Sequence, residues 1–256
     1  SHTAYEAENT RKKIARDIFQ RSLSLFATDC WGCSEKACQW LYGDSFKNKW
    51  AVIHNAIDLQ KYRFQQSRRM KMRQQLHLSD AEEMWVHTGT LSATKNQEWL
   101  IRLFRKYKEK GHKAKLFLCG DGPQRDHLKE EIQSLHLDHD VQMVGAVSNV
   151  EDYLMAADIF VFPSLFEGLS LSVVEAESTG LRCVTSSAVP QEALFSPVAT
   201  QCENLEDDMW LKTIEQVKNV DITRELCTDL AEEAGYGIKK EAAKLNTMYR
   251  ECSLRR

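Results

Sequence analysis

Glu167 and Glu175 are the residues of this chain whose type and spacing most suit chemistry. Glu167 lies in the turn Phe166-Glu167-Gly168-Leu169. Glu175 follows after seven intervening residues, in a segment whose apolar positions Leu171, Val174 and Ala176 suit one face of a helix. The start of a helix offers unpaired N–H groups and a partial positive charge, a seat for phosphate. An ionised carboxylate only accepts hydrogen bonds. Two carboxylates beside such a seat therefore suit hydroxyl groups attached to a phosphate, not the phosphate itself. Two solvated glutamates on an ordinary strand–helix loop would show the same spacing, and spacing alone leaves both readings open.

A cation that could complete the site is Lys95. It ends the loop Gly89-Thr90-Leu91-Ser92-Ala93-Thr94-Lys95, ahead of a helix with Leu100, Ile101, Phe104 and Tyr107 on one face. Thr94 and Gln97 have capping-box spacing. A lysine at a helix start opposes the helix dipole but is well placed to meet a phosphate; a solvated lysine is the plainer alternative.

These side chains need strands and helices to position them. Ile159 to Phe162 is a short apolar run rich in β-branched and aromatic residues, stopped by Pro163, as in a buried parallel strand. Gly168 leaves the following turn free to take backbone angles that other residues resist. A helix from Ser170 to a C-cap at Gly180 and a strand from Arg182 to Thr185 complete the unit. Further strands are expected at 83–88, 115–119, 141–144 and 198–202, with helices between them. The alternation predicts an α/β fold, a doubly wound parallel Rossmann-like sheet over about residues 81–202. Ligands of such sheets bind at the carboxyl ends of strands. Gly89 to Lys95, Gly120 to Gly122, Gly145 to Val147 and Glu167 to Leu169 all fall at strand ends.

The frame around the two glutamates, Phe162-Pro163-Ser164-Leu165-Phe166-Glu167-Gly168-Leu169 and Val173-Val174-Glu175-Ala176, resembles the E-x7-E signature of family 4 glycosyltransferases. These are retaining enzymes of two-Rossmann GT-B architecture. The EpsF-like members that build capsular and exopolysaccharides look similar. The resemblance implies that Glu175 binds the ribose hydroxyls of a nucleotide, and that Glu167, with Gly168, Leu169 and Ser170 beside it, contacts the donor sugar. It implies that Lys95 grips the diphosphate, that Gly89, Gly120 and Gly122 let backbone approach the nucleotide, and that Val147 lies against the base. Glu167 and Lys95 are the expected catalytic pair. The family pattern Gly-Arg-Leu-Ser-x-x-Lys-Asn is broken here by Thr90, which stands where that Arg would be. One phosphate cation fewer implies weaker donor binding.

Other stretches resemble the end of the family's N-terminal acceptor lobe: Trp40-Leu41-Tyr42-Gly43 and Val52-Ile53-His54-Asn55-Ala56-Ile57-Asp58. The implied domains are 1–58, the tail of that lobe; 59–80, a linker; 81–228, the nucleotide-sugar domain; and 229–256, a C-terminal helix packing back on the N-terminal lobe. A polar helix is expected at 5–22, strands at 26–33 and 50–54, and a solvated basic run at 59–78.

The implied activity is transfer of a sugar, with retention, from a nucleoside-diphosphate sugar, a UDP-sugar first among them. The acceptor would be a glycan or a lipid-linked sugar in polysaccharide biosynthesis. No cofactor beyond that donor and no metal site is expected. The alternative is a nucleotide-sugar-binding module without turnover. A nicotinamide-dependent oxidoreductase is disfavoured, because no Gly-x-Gly-x-x-Gly follows a first strand with an acidic residue ~20 positions on.

Composition is ordinary for a globular chain of 256 residues: 43% hydrophobic, 28% charged, net charge −3. Nothing in that charge suggests nucleic acid. No apolar run approaches the ~20 residues that span a bilayer. A cytoplasmic protein is expected, at the inner membrane face if the absent part of the N-terminal lobe attaches it there. Of eight cysteines, Cys30 and Cys33 have half of a metal-binding spacing without a second pair. Cys119 and Cys183 fall at strand positions, where thiols pack as small hydrophobes.

Overall fold

The computed structural model describes residues 18–20, 22, 23, 26–43 and 50–254. The chain divides into two compact units, Asp58–Ala234 and a smaller one formed by residues up to Ile57 with those from Gly235. The smaller unit holds β1 (Cys30–Gly32), α1 (Glu35–Tyr42) and β2 (Trp50–Val52), the two strands being parallel. Ser34 caps α1 by accepting from the Ala37 amide at 3.0 Å. Both strands are shorter than the expected 26–33 and 50–54. Most of the helix expected at 5–22 lies outside the described residues.

The larger unit begins with α2 (Leu59–Tyr62) and α3 (Gln66–Gln75), then β3 (Glu83–Thr88), α4 (Gln97–Glu109), β4 (Ala114–Cys119), α5 (Arg125–Ser134) and β5 (Val141–Gly145). It continues through α6 (Val150–Ala156), β6 (Ile159–Phe162), α7 (Leu171–Ser178), β7 (Arg182–Ser186), β8 (Ala199–Cys202), α8 (Asp207–Val217) and α9 (Cys227–Glu233). The strands form one six-stranded parallel sheet in the order β5-β4-β3-β6-β7-β8. Met84, Trp85, Val86 and all of β6 are fully buried, as a parallel sheet covered on both faces requires. On α4, Leu100, Ile101, Leu103, Phe104 and Tyr107 face Trp85, Leu116 and Val161 in one core. The chain steps outward from β3 to β5, returns to β6, and steps out the other way to β8. The order reverses between β3 and β6, the point at whose carboxyl-end side ligands of such sheets bind.

The basic run at 59–78 is solvated only in part: Lys61 and Lys71 are exposed, whereas Arg73 is buried. Arg69 and Arg73 turn inward onto Asp158, at 2.5 and 3.1 Å, and Asp158 also accepts from the Met84 amide at 2.7 Å. Arg69 donates to the carbonyls of Ala156 and Ala157 at the end of α6, where cations suit the unpaired carbonyls. Arg68 pairs with Asp152 and Glu151. The three arginines thus bind α3 to α6, and this compact unit starts at Asp58 and ends at Ala234, wider at both ends than 81–228.

In the smaller unit, α10 (Ile238–Leu254) lies with β1 and β2. Lys244 donates to the Val52 carbonyl at 2.9 Å, and Trp31 meets Tyr249 edge-on at 4.9 Å. No helix among the described residues is long and apolar enough to cross a membrane. No disulfide forms among the described residues; Cys33 and Cys252 are partly exposed and the other cysteines buried.

Candidate functional site

The two loops that leave the sheet on either side of the order reversal are joined to each other. Leu165 donates its amide to the Thr94 carbonyl at 2.8 Å, and the Ser164 hydroxyl donates to the same oxygen at 3.1 Å. Asn96 donates to the Pro163 carbonyl at 3.3 Å. Across this seam Lys95 Nζ meets Glu167 Oε1 at 2.6 Å. The ammonium also lies 4.8 Å from the centre of the Phe162 ring, within cation–π range. Glu167 is 6% exposed, so this ion pair is not held in open solvent.

Local structure differs from expectation at both loops. Ala93–Lys95 forms a single 3-10 turn, and Asn96, in a left-handed conformation at φ 59°, precedes α4. Thr94 therefore caps nothing, and no capping box forms. Gln97 is buried and braces the loop instead, donating to the Thr90 carbonyl at 2.9 Å and accepting from the Ser92 amide at 3.3 Å. Thr90 is exposed. Gly168 makes no use of its freedom to take positive φ, and a Cβ there would meet nothing within 4 Å. Its missing side chain leaves the backbone open to approach.

Gly120 and Gly122 are required for close packing of backbone. A Cβ on Gly120 would lie 1.9 Å from the Gly89 carbonyl oxygen, and one on Gly122 2.4 Å from that of Leu91. The loop after β4 thereby lies flat against the loop after β3, with Leu91 N donating to Asp121 O at 3.1 Å. Gly120 N donates to Gly145 O at 2.8 Å, which ties in the loop that carries the half-buried Val147.

Leu169 and Ser170 are buried at the start of α7. Ser170 makes no side-chain cap, and its hydroxyl has no partner in the protein. Glu175 stands about 7 Å along the helix axis from Ser170 at ~1.5 Å per residue. It is partly exposed, and its Oε1 accepts from the Tyr62 hydroxyl at 2.7 Å. Burial raises the pKa of Glu175, with the nearby Glu151 adding to it, while the Tyr62 hydrogen bond and Lys61 pull it down.

Tyr62 carries no sequence signal, since its partner lies 113 residues away. His87 was also not singled out. It is fully buried between Phe162 and the Gly89–Lys95 side of the site, with both ring nitrogens unpartnered. Burial, with Lys95 nearby, pushes its pKa down to about 3, and the ring stays neutral. Thr88 and Thr185, near the ends of β3 and β7, likewise have buried hydroxyls without a protein partner. Among the described residues no cluster of His, Cys, Asp or Glu is arranged to hold a metal ion.

Residues 68–234 match the family described as Glycosyl transferases group 1. The chain belongs to this glycosyltransferase family. The matched span contains every strand of the six-stranded sheet, Lys95 and both glutamates. The chain is 26% identical over 246 residues to the putative glycosyltransferase EpsF of Bacillus subtilis, a match covering 94% of this chain and 64% of that protein. It is 28% identical over 191 residues to the Escherichia coli UDP-Gal:alpha-D-GlcNAc-diphosphoundecaprenol alpha-1,3-galactosyltransferase, covering 70% and 49%. The chain spans less than two thirds of either relative's length. The crystal structure of Anabaena Alr3699/HepE in complex with UDP and glucose is similar, with a TM-score of 0.73 at 21% identity over 93% of this chain and 66% of that one. The likeness shows the α/β fold of GT-B glycosyltransferase structures.

Proposed function

We propose that this chain carries the donor site of a retaining glycosyltransferase that moves a sugar from a nucleoside diphosphate, a UDP-sugar first, to a glycan or lipid-linked acceptor in polysaccharide biosynthesis. One observation carries the reading. The loops after β3 and β6, which flank the point where the strand order reverses, bring Lys95 and Glu167 together next to the start of α7.

In this reading the diphosphate takes Lys95 and the unpaired amides that open α7. Glu167 accepts hydrogen bonds from sugar hydroxyls, assisted by the backbone of Gly168 and Leu169, and Ser170 offers its free hydroxyl. Glu175 accepts from the ribose. Gly120 and Gly122 hold the loop after β4 flat against the loop after β3, so that the backbone of these loops, Gly89 included, can face the nucleotide, and Val147 packs on the base. As the bond from the anomeric carbon to the phosphate oxygen breaks, negative charge grows on the departing diphosphate. Lys95, once its ammonium has exchanged Glu167 for the diphosphate, and the α7 dipole stabilise that charge. The acceptor oxygen bonds to the anomeric carbon on the face the diphosphate leaves and passes its proton to the departing phosphate oxygen. Thr90 supplies no second cation, which favours modest donor affinity. The protein would act in the cytoplasm, at the membrane face where lipid-linked acceptors are exposed. The relatives' printed activities and the bound UDP of HepE support these assignments by similarity.

The test is release of UDP from UDP-glucose, UDP-galactose and UDP-N-acetylglucosamine, with and without polyprenyl-diphosphate-linked sugar acceptors. Acceptor-dependent release from one donor, falling about 100-fold or more in Lys95→Ala, is the expected outcome. A chain that binds UDP but turns over no donor with any acceptor would be a binding module.

A further inference from the structure

We propose that Tyr62 is a positioning residue for Glu175: its hydroxyl holds one carboxylate oxygen in place so that the other faces the ribose. The inference rests on the ribose role of Glu175 given above. Its observational basis is the 2.7 Å hydrogen bond from Tyr62 Oη to Glu175 Oε1.

A carboxylate on a two-torsion stem has several rotamers, and each ordered rotamer costs conformational entropy. A single fixed donor on Oε1 selects one of them before a ligand arrives. The carboxylate has acceptor sites on both oxygens, and one phenolic proton fills only one of them. Oε2 is left to accept from vicinal hydroxyls. Glu175 is partly exposed, so Oε2 is within reach of solvent or ligand, whereas Tyr62 is only 5% exposed and its ring is set in the protein. Burial and the neighbouring Glu175 raise the phenol's pKa far above its ordinary range, so the donor keeps its proton at every physiological pH.

The segment presenting Tyr62 is itself anchored. Asp58 caps α2 by accepting from the Gln60 amide at 3.2 Å. Lys61 reaches the Ser148 carbonyl at 3.3 Å and Glu151 at 3.1 Å, and Arg63 pairs with Asp229. Leu59 is buried beside it. A four-residue helix has too few internal hydrogen bonds to hold a side chain by itself. Here caps and ion pairs to α6 and α9 supply the rigidity that a pre-set carboxylate needs.

The test compares Tyr62→Phe, which deletes one oxygen, with the unaltered chain. Each is titrated with the nucleoside diphosphate that binds best among UDP, GDP and ADP, and with its 2′-deoxy analogue. The expected result is a loss of about tenfold for the ribonucleotide and under about threefold for the deoxy analogue. Donor KM should rise while kcat stays within about twofold. A role confined to packing would weaken both ligands alike, or neither, and either outcome overturns the proposal. The double variant with Glu175→Gln should lose less than the sum of the single losses. If Glu175→Gln leaves ribonucleotide binding unchanged, the ribose role fails and Tyr62 with it. If Glu175→Gln weakens binding and Tyr62→Phe does not, only the Tyr62 assignment falls.

Discussion

Lys95 and Glu167 neutralise one another at 2.6 Å, although the first is assigned to an anion and the second to sugar hydroxyls. A diphosphate that takes the ammonium must displace a largely buried carboxylate, and the freed carboxylate then needs the sugar as its new partner. The two events suit each other when sugar and diphosphate arrive as one molecule. A nucleoside diphosphate without sugar satisfies only the lysine and leaves a buried charge without its counterion, a costly state. Glu167→Gln removes that cost. It is expected to bind sugar-free nucleoside diphosphate about three- to tenfold more tightly while turnover of the sugar donor falls about 100-fold. Calorimetric titration beside a turnover assay measures both, and unchanged or weaker diphosphate binding would refute the exchange. At this scale the sequence was legible where the charge pattern was local. The lysine and the two glutamates could be named from spacing and frame. Thr94 could not be placed, because a 3-10 turn and a left-handed Asn96 displaced the helix start. Tyr62 and His87 have partners far along the chain and leave no periodic trace.

At the scale of the element, α7 presents two glutamates with opposite tasks. Residues two apart on a helix point about 200° apart. Glu175 faces Tyr62, and Glu177 is fully buried on the other side. Oε2 of Glu177 accepts from the Phe195 amide at 3.2 Å, the Ser196 amide at 3.0 Å and the Ser196 hydroxyl at 2.6 Å, pinning the segment after β7. Burial pushes its pKa up from the ordinary 4.5 to about 8, against the pull of those three hydrogen bonds. The sign follows from linkage. A carboxyl whose pKa is raised on folding favours the protonated native state, so its contribution is fully present below about 4.5 and is lost as pH rises through about 8. Glu177→Gln keeps an acceptor for the loop and cannot ionise. Relative to it, the unaltered chain should lose stability progressively between these two pH values, as followed by urea unfolding at constant ionic strength. Parallel pH profiles for the two proteins would contradict the burial of an ionisable Glu177.

At the scale of the whole molecule, the sheet was readable because short strand-like segments alternate with helical patterns and β6 is a continuous apolar run, as in a parallel sheet covered on both faces. The alternation of strands and helices implied a doubly wound sheet with ligands at the strand ends, but the strand order that sets the reversal between β3 and β6 is seen only in the fold. The start of the larger unit was not readable. Residues 59–75 are polar and basic, and only Asp158 and the end of α6, more than eighty residues on, reveal that Arg69 and Arg73 point inward. Ion pairs between distant elements have no period, so a buried arginine clamp and a solvated charge run look alike in a sequence.

The loops from β3 and β6, with α7, are proposed to form one nucleotide-diphosphate site. Isothermal titration of the chain with UDP, GDP and ADP, repeated on Lys95→Ala and Glu175→Ala, tests it most directly. Saturable binding of one nucleotide, weakened at least about tenfold in each variant, is the expected result. Binding that survives both substitutions undiminished, or no binding of any of the three, would contradict it.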